Sequence, residues 1–326
     1  MQCAASAQTA DFYKGKTLTI LCSTEAGTLY DTYARAIAQY LPEYIPGRPN
    51  IIVENMPGAS GIRVANYTWT VAAKDGTVIA ATHAAIPTQP LFTPDTTRYD
   101  SRKLGWIGSA NREPFVGFVR GAVPVRSIED MKTMPLIVGG TSLGSASIDM
   151  AIVMRDMFGL KVKIVTGYKS SLETKLAIEK GEIDGTFGNG WSSAKTELKN
   201  QLADGSIRVI TQFGARRLPD LPDIPVFAEI ARNDEERQML ELLLARQEFA
   251  KPYFAPPGVP AERLAILRRA FDRVMENKSF LSDMERRQLP VEAMTGEELA
   301  AMIDRLMSTP PELTARLKAL FANFKN

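Results

Sequence analysis

Two segments of this sequence repeat one pattern: a short apolar strand, a loop of small and hydroxyl residues, and a helix. The first segment has an apolar run at 18–22, a loop at 23–29 and a helix from about Tyr30. The second has an apolar run at 136–138, a loop at 139–145 and a helix from about Ala146. Further short strands alternate with helical stretches along the chain, which predicts βαβ units, a mainly parallel sheet and therefore an α/β fold.

Both loops are predicted to bind an anion. Each delivers backbone N–H groups at a helix N-terminus, where the first-turn N–H groups lack helical partners and the helix dipole is positive. Two such ends facing each other across a cleft would hold a ligand with acceptors at both ends, such as a dicarboxylate. The expected contacts are Thr24, Gly27, Thr28 and Leu29 from the first loop, and Thr141, Ser142, Gly144, Ser145 and Ser147 from the second.

Other candidate contacts follow further predicted strands or lie where the chain crosses between domains: His83, Arg112, Tyr168, Asn189 and Trp191. Open α/β sheets bind ligands at the carboxyl ends of their strands, which favours His83 after the strand at 78–81. A structural role in the core is the alternative for His83, as it is for the aromatic residues, which would otherwise line the cleft. For Arg112 the alternatives are a solvated surface arginine and a carboxylate clamp.

Catalytic motifs are incomplete in this chain. Residues 140–144 match G-x-S-x-G after a strand, but the single histidine, His83, precedes the serine, whereas the hydrolases with this motif have it afterwards. The same segment has the outer spacing of a P-loop, but Ser145 and Ala146 occupy the positions of the lysine and of the serine or threonine that follows it. We therefore expect no catalysis and no cofactor.

Composition excludes further classes of function. The 326 residues include 39 basic and 37 acidic side chains, a net charge of +2 without a basic stripe, so we expect no nucleic-acid partner. Two cysteines and one histidine are too few for a zinc site, and we expect no metal. The sequence has no apolar run long enough to span a membrane.

Residues 1–10 are predicted to be a leader. The triplet Ala5, Ser6 and Ala7 resembles the end of a secretory signal, although the basic and apolar regions of a signal are missing. Two interpretations stay open: a disordered leader, or a truncated signal peptide with the mature start near Gln8. The second would place the protein in the periplasm.

Six short motifs in a fixed order carry a family resemblance. They are YDTYAR at 30–35, VENMPGA at 53–59, AKDGT at 73–77, GEIDG at 181–185, LPDLPDIP at 218–225 and FAPPGVP at 254–260. Over residues 12 to about 302, the chain resembles the substrate-binding proteins of tripartite tricarboxylate transporters, the TctC/Bug type. The order and spacing of the motifs make this resemblance specific.

The resemblance implies an α/β, two-domain periplasmic binding protein (Venus flytrap) fold, with a ligand cleft between domains. We expect domain 1 at 11–110 and 226–326, with the C-terminal helices, and domain 2 at 111–225. The resemblance also implies a periplasmic, non-enzymatic protein that captures a small organic acid and passes it to membrane permease subunits; we expect a monomer. The family's pocket uses the loops that correspond here to residues 23–30 and 141–147.

One departure from the family concerns the first loop, which usually reads Pro-Gly-Gly-Gly. Here Glu25 brings a negative charge, Thr28 a hydroxyl and Leu29 apolar bulk, ahead of Tyr30. If Glu25 faces the ligand, it would repel a second carboxylate or bind a cationic group. A monocarboxylate, amide or amino-bearing ligand is therefore an alternative, and a sensory ligand-binding module is an alternative function on the same fold.

Overall fold

The structure is a computed structural model that describes residues 12–214 and 216–324. The leader predicted at 1–10 lies outside the described residues. The strands, in chain order, are β1 (Thr17–Cys22), β2 (Asn50–Asn55), β3 (Val78–Ala81), β4 (Gly105–Ser109), β5 (Phe115–Arg120), β6 (Leu136–Gly139), β7 (Val162–Val165), β8 (Gly185–Gly190), β9 (Ile207–Phe213), β10 (Pro252–Ala255) and β11 (Met294–Thr295).

The helices connect these strands and cover their sheets. In chain order, the α-helices are α1 (Leu29–Tyr40), α2 (Ile62–Thr70), α3 (Gln89–Phe92), α4 (Ala146–Ile152), α5 (Ser171–Lys180), α6 (Trp191–Glu197), α7 (Lys199–Ala203), α8 (Asp234–Leu244), α9 (Ala261–Met275), α10 (Lys278–Arg286), α11 (Gly296–Met307) and α12 (Pro311–Ala322). Single 3₁₀ turns lie at Leu41–Tyr44, Ala59–Gly61, Ser101–Lys103, Asp130–Lys132, Phe227–Ile230 and Ala245–Gln247, and a π-helical turn at Val153–Met157. No helix in the described part of the chain is long and apolar enough to cross a membrane.

The chain divides into two compact units. Unit 1 contains the described residues up to Arg112, together with Glu248–Thr309. Unit 2 contains Glu113–Gln247 and the described residues from Pro310 onward. Each unit has its own sheet and its own hydrophobic core.

Unit 1 is built on a sheet with the strand order β11-β4-β10-β3-β1-β2. Strand β1 pairs in parallel with β2 and β3, and β10 runs antiparallel to β3 and β4. The carboxyl ends of β1, β2 and β3 therefore lie at one edge of the sheet. Helix α1 packs on this sheet through the buried side chains Tyr33, Ala34 and Ile37, the i, i+1 and i+4 positions of one helical face.

Unit 2 is built on a sheet with the strand order β7-β6-β8-β5-β9. Strand β6 pairs in parallel with β7 and β8, while β5 runs antiparallel to β8 and β9. Val138 on β6 packs in the core with Phe187 on β8 and Phe213 on β9. Because β6, β7 and β8 run parallel, the loops that follow these strands lie at one edge of this sheet.

The units differ from the predicted domain bounds at three places: residues 111–112 lie in unit 1, and two helical segments lie in unit 2. Helix α8 lies in unit 2, because Leu240, Leu243 and Leu244 pack in that unit's core. Helix α12 also lies in unit 2, because Leu320 and Phe321 pack against the same core. Both segments fall in the range 226–326 that the family resemblance implied for domain 1, and the resemblance does not specify the core that each amphipathic helix covers.

Candidate functional site

Loop 1 (residues 23–28) joins β1 to α1 through a tight turn. The Thr28 N–H and its hydroxyl both donate to the Glu25 carbonyl, at 3.4 and 2.9 Å. Gly27 has φ +82°, the left-handed conformation that favours glycine at the third position of a type II turn. Thr28 is the N-cap of α1, and its hydroxyl also lies 2.6 Å from the hydroxyl of Thr24.

A buried aspartate anchors loop 1 from the first turn of α1. Asp31 is 2% exposed, and its Oδ2 accepts hydrogen bonds from the Gly27 N–H at 2.8 Å and from Arg35 Nε at 2.9 Å. Its Oδ1 accepts from Asn55 Nδ2, which also donates to the Thr24 carbonyl. Burial favours the neutral acid, but the hydrogen bonds from Arg35, Asn55 and Gly27 together outweigh it and lower the pKa of Asp31.

Loop 2 (residues 140–145) joins β6 to α4 through the same turn. The Ser145 N–H and its hydroxyl both donate to the Ser142 carbonyl, at 3.0 and 2.6 Å. Gly144 has φ +86°, and its N–H donates to Oδ1 of Asp149 at 2.9 Å. Ser145 is the N-cap of α4, and its hydroxyl lies 3.1 Å from that of Ser147.

Asp149 has a different electrostatic environment from Asp31. It is 6% exposed, and burial raises its pKa, offset only in part by the Gly144 hydrogen bond and the charge of Arg246. The two loops thus share one design, a glycine at positive φ whose N–H is held by a buried aspartate of the following helix. They differ in how strongly the protein stabilises the charge of that aspartate.

Three of the residues expected to contact the ligand use their N–H groups within this design. The N–H groups of Gly27, Gly144 and Ser145 each donate to a group of their own loop or helix, and these hydrogen bonds order the loops. Their contact with a ligand stays a prediction. In the two hydroxyl pairs, Thr28 and Ser145 donate their hydroxyl hydrogens to carbonyls of their own loops, whereas the hydroxyl hydrogens of their partners, Thr24 and Ser147, can rotate toward a ligand acceptor.

His83, Tyr30 and Lys251 form a cluster at the edge of the unit 1 sheet. The rings of Tyr30 and His83 are 4.6 Å apart, and the Tyr30 hydroxyl accepts from the Ala84 N–H at 3.5 Å. Lys251, which directly precedes β10, is 8% exposed and places its Nζ 4.4 Å from the centre of the Tyr30 ring. Burial and the charge of Lys251 lower the pKa of His83, so its imidazole is neutral at neutral pH.

Lys251 was not among the residues predicted from the sequence. The sequence does distinguish this residue, because Lys251 is the one charged residue in the apolar run 249–255, which is buried in the structure. Charged side chains are rarely buried without a specific interaction, so a lone lysine in such a run indicates a specific interaction of its ammonium group.

We expect Lys251→Met to raise the pKa of His83, because the substitution removes a positive charge that disfavours the imidazolium. His83 is the only histidine in the sequence, so its imidazole signals can be followed alone through an NMR pH titration. The exposed Lys74→Met serves as the control and should leave the titration unchanged. An unaltered or lower pKa of His83 in folded Lys251→Met protein would contradict the proximity of the two groups.

Arg112 is held inside unit 1. Its Nη1 lies 2.9 Å from Oε2 of Glu248, and its Nε lies 3.9 Å from Oε1 of Glu292. Arg112 is therefore an ion-paired residue and not the solvated surface arginine of the first alternative. A role as a clamp for a ligand carboxylate stays a prediction.

Unit 2 brings its other candidates to the edge that carries loop 2. The Gly167 N–H donates to the Thr141 carbonyl at 2.9 Å, which ties the segment containing Tyr168 to loop 2. Asn189, near the end of β8, donates from Nδ2 to the Phe187 carbonyl at 3.2 Å. Trp191 packs in a core cluster and donates from its indole to Asp220 at 3.2 Å, as in the structural alternative.

The described residues contain no group of three or more histidine, cysteine, aspartate or glutamate side chains placed to hold a metal ion. Cys22 is a free cysteine buried in the unit 1 core, where it behaves as a small apolar residue.

Two curated relatives resemble this chain at low identity. A UPF0065 protein from the TAR-I ttuE-ttuC' intergenic region of Agrobacterium vitis is 24% identical over 253 residues, covering 76% of this chain and 70% of the relative. A UPF0065 protein of Bordetella bronchiseptica is also 24% identical, over 295 residues, covering 86% of this chain and 78% of the relative.

Solved structures share the fold. A TctC solute-binding protein from Polaromonas superimposes with a TM-score of 0.72 at 20% identity, covering 96% of this chain and 100% of its own. MatC from Rhodopseudomonas palustris, with bound malate, gives 0.55 at 18% identity over 94% and 99% of the two chains. Another Rhodopseudomonas palustris protein, with adipate, gives 0.55 at 21% identity over 92% and 97%. The α/β periplasmic binding protein fold expected from the sequence is thus confirmed.

The family model of the tripartite tricarboxylate transporter family receptor matches residues 34–310. This match covers most of the chain, both curated relatives span the greater part of it, and the Polaromonas structure shares its fold. The family consists of solute-binding receptors and not of enzymes. The chain accordingly belongs to the TctC family, the receptors of tripartite tricarboxylate transporters.

Proposed function

We propose that this protein is a periplasmic receptor that captures a small organic acid through its carboxylate and passes it to membrane permease subunits of a tripartite tricarboxylate-type transporter. Membership of the receptor family supports this role. Two structures with the same fold contain malate and adipate, and both of these ligands are carboxylates. The proposal requires neither metal nor cofactor.

The observation that carries the proposal is the shared design of loops 1 and 2. Each loop follows a parallel strand, as ligand loops do in open α/β sheets, and each is ordered by a glycine–aspartate hydrogen bond. Each also carries a hydroxyl pair beside the N-terminus of a helix, where the backbone dipole favours an anion. The residues proposed to contact or shape the ligand site are Thr24, Glu25, Gly27, Thr28, Leu29, Tyr30 and His83 in unit 1, and Thr141, Ser142, Gly144, Ser145, Ser147, Tyr168 and Asn189 in unit 2.

Calorimetry with malate, adipate, benzoate, glutamine and putrescine tests the proposal. We expect binding among the carboxylates, with one ligand per chain. A ligand at a hundredfold its Kd should also stabilise the protein by about 2.7 kcal/mol in thermal melts. Binding of putrescine alone, or of no carboxylate, would overturn the proposal.

Charge variants of the two loops test the assignment of the site. Ala26→Asp and Ser142→Asp each place a carboxylate at an exposed loop position, and each should weaken carboxylate binding by about tenfold or more through repulsion. Ala26→Asn and Ser142→Asn are matched neutral controls with nearly the same shape, and they should bind within about twofold of the wild type. Equal affinity of the Asp and Asn variants at either position would remove that loop from the site.

A further inference from the structure

The sheet of unit 1 has a topological switch point between β1 and β3. From β1 the chain passes through α1 to β2 on one side of β1, and it then passes through α2 to β3 on the other side, with all three strands parallel. Right-handed crossovers place α1 and α2 on opposite faces of the sheet. Open α/β sheets bind ligands at such a point, beyond the carboxyl ends of the strands.

Ser23 and Thr82 are the first residues after β1 and β3, and they lie side by side at the switch point. The two strands pair Cys22 with Ala81, and the Ser23 N–H donates to the Ala81 carbonyl at 3.0 Å, which continues the register and places Ser23 opposite Thr82. Paired residues of a sheet project from the same face, so the two side chains are neighbours.

The hydroxyls of Ser23 and Thr82 are buried without a hydrogen-bond partner among the described residues. Ser23 is 2% exposed and Thr82 is 1% exposed. Burial of an unpaired hydroxyl costs free energy, because the group loses its hydrogen bonds to water. Two neighbouring hydroxyls of this kind, at the edge where α/β sheets bind ligands, indicate an acceptor that the fold itself does not supply.

His83 adds a third donor directly after Thr82. Its side chain is partly exposed, and its ring is held 4.6 Å from the ring of Tyr30. Gly61 leaves room for the imidazole, because a Cβ added there would lie 3.2 Å from Cδ2 of His83. A neutral imidazole carries one N–H donor, so His83 can donate to the same acceptor as the two hydroxyls.

Lys251 determines the charge that suits this position. It lies beside the segment that follows β3, because the Thr82 N–H donates to the carbonyl of Pro252 at 3.1 Å. Its buried ammonium is close enough to His83 for its charge to lower the pKa of the imidazole. The nearby carboxylate of Asp31 is paired with Arg35, so the positive charge of Lys251 favours an anion at the switch point.

We propose that unit 1 has a carboxylate-binding subsite at this switch point, in which Ser23, Thr82 and His83 donate hydrogen bonds to one ligand carboxylate. Lys251 supplies the positive charge that attracts this carboxylate. The inference rests on the proposed function, because it identifies the groups of unit 1 that bind the carboxylate of the captured acid. It adds Ser23, Thr82 and Lys251 to the residues of the site.

The imidazole signals of His83 report directly on the subsite, because His83 is the only histidine in the sequence. NMR titrations use malate, adipate and benzoate, each of which is also measured by calorimetry. For every carboxylate that binds, the His83 signals should shift and saturate with the calorimetric Kd. Calorimetric binding of a carboxylate that leaves the His83 signals in place would overturn the inference.

Ser23→Ala and Thr82→Val remove the two hydroxyls with little change of shape. Each should weaken binding of the same carboxylate at least about tenfold, because a hydrogen bond to a charged group is lost. Neither should lower the stability of the ligand-free protein in urea, because an unpaired buried hydroxyl is replaced by an apolar group. Wild-type affinity in both variants would overturn the inference, as would a loss of stability in both, which would mean that the hydroxyls serve the fold.

Ser101→Ala is the matched control in unit 1. The hydroxyl of Ser101 is also buried without a partner among the described residues. Ser101 precedes β4, which is parallel to β3 because both strands run antiparallel to β10, so it lies at the opposite edge of the sheet. Ser101→Ala should therefore keep the wild-type affinity. A tenfold loss in this control as well would show that the losses in the other variants do not identify a subsite.

The outcomes separate this inference from the proposed function. If a carboxylate binds the wild type while the His83 signals and both hydroxyl variants are unaffected, the receptor role stands and the subsite fails. If none of the three carboxylates binds the folded protein, the proposed function fails, and the subsite fails with it.

Discussion

Asp31→Asn should destabilise the protein at neutral pH, whereas Asp149→Asn should leave its stability unchanged or raise it, although both aspartates anchor a loop glycine. We expect Asp31→Asn to lower the free energy of unfolding of unit 1 by about 3 kcal/mol, the upper range for hydrogen bonds to a charged group. The opposite outcome for Asp149 follows from the partners and the burial of the two carboxyl groups.

Both oxygens of Asp31 accept hydrogen bonds, from Gly27 and Arg35 on one side and from Asn55 on the other. An asparagine amide would place its NH₂ group against one of these N–H donors in either orientation. The lowered pKa of Asp31 shows that the folded protein favours the charged form. Asp31 therefore contributes stability above its unfolded pKa of about 3.9, and this contribution is lost as the pH falls through the lower folded value.

The charge of Asp149 has the opposite effect on stability to that of Asp31. Because burial raises its pKa, the folded state binds the proton more tightly than the unfolded state does. Stability therefore decreases as the pH rises from the unfolded value of about 3.9 through the raised folded value. In the Asp149→Asn protein, the amide oxygen of the new side chain can still accept from Gly144, and a neutral side chain avoids the cost of a buried charge.

Urea denaturation at pH 7 and pH 4.5 would measure both effects, and hydrogen exchange of the β1 and β6 amides would assign them to units. The exposed Asp95→Asn in unit 1 and Asp223→Asn in unit 2 are controls that should change stability by less than about 0.5 kcal/mol. Equal destabilisation by Asp31→Asn and Asp149→Asn at pH 7 would refute the contrast.

The sequence predicted the features that depend on neighbouring residues. β3 has the predicted bounds, and β1 begins one residue before the predicted apolar run at 18–22. The helices after loops 1 and 2 begin within one residue of the predicted starts, because apolar runs, small loop residues and N-caps are local signals. The structure also contains a capping box at Thr295 and Glu298, at the start of α11, and the Thr-x-x-Glu spacing that forms it is a local feature of the sequence.

The features that the sequence did not predict depend on distant partners. Arg112 pairs with Glu248, 136 residues further along the chain, and the Trp191 indole donates to Asp220, 29 residues further along. The roles of Asp31 and Asp149 were missed for a subtler reason. Acidic residues are common in the first turn of helices, so their positions alone did not indicate that a loop glycine would turn back onto them.

Gly188→Ala should be among the most damaging single substitutions in unit 2, with an expected loss of about 3–5 kcal/mol. Gly188 lies in β8 at φ +67°, a conformation that costs alanine energy by itself. An added Cβ would also lie 2.5 Å from the carbonyl carbon and 2.6 Å from the carbonyl oxygen of Ala146. These are backbone atoms at the start of α4, so no side chain can rotate away to relieve the collision.

Relief of that collision requires α4 to move, and loop 2 would move with it, since Ser145 is the N-cap of α4 and Gly144 is bonded to Asp149 within it. We therefore expect carboxylate affinity to fall at least about tenfold in any Gly188→Ala protein that still folds. Gly205→Ala separates strain from collision, because Gly205 has φ +74° but its added Cβ would meet nothing within 4 Å. It should cost about 1–2 kcal/mol in urea denaturation and leave affinity unchanged in calorimetry. Equal losses in the two variants would mean that backbone strain alone determines the effect, and that β8 does not fix the position of loop 2.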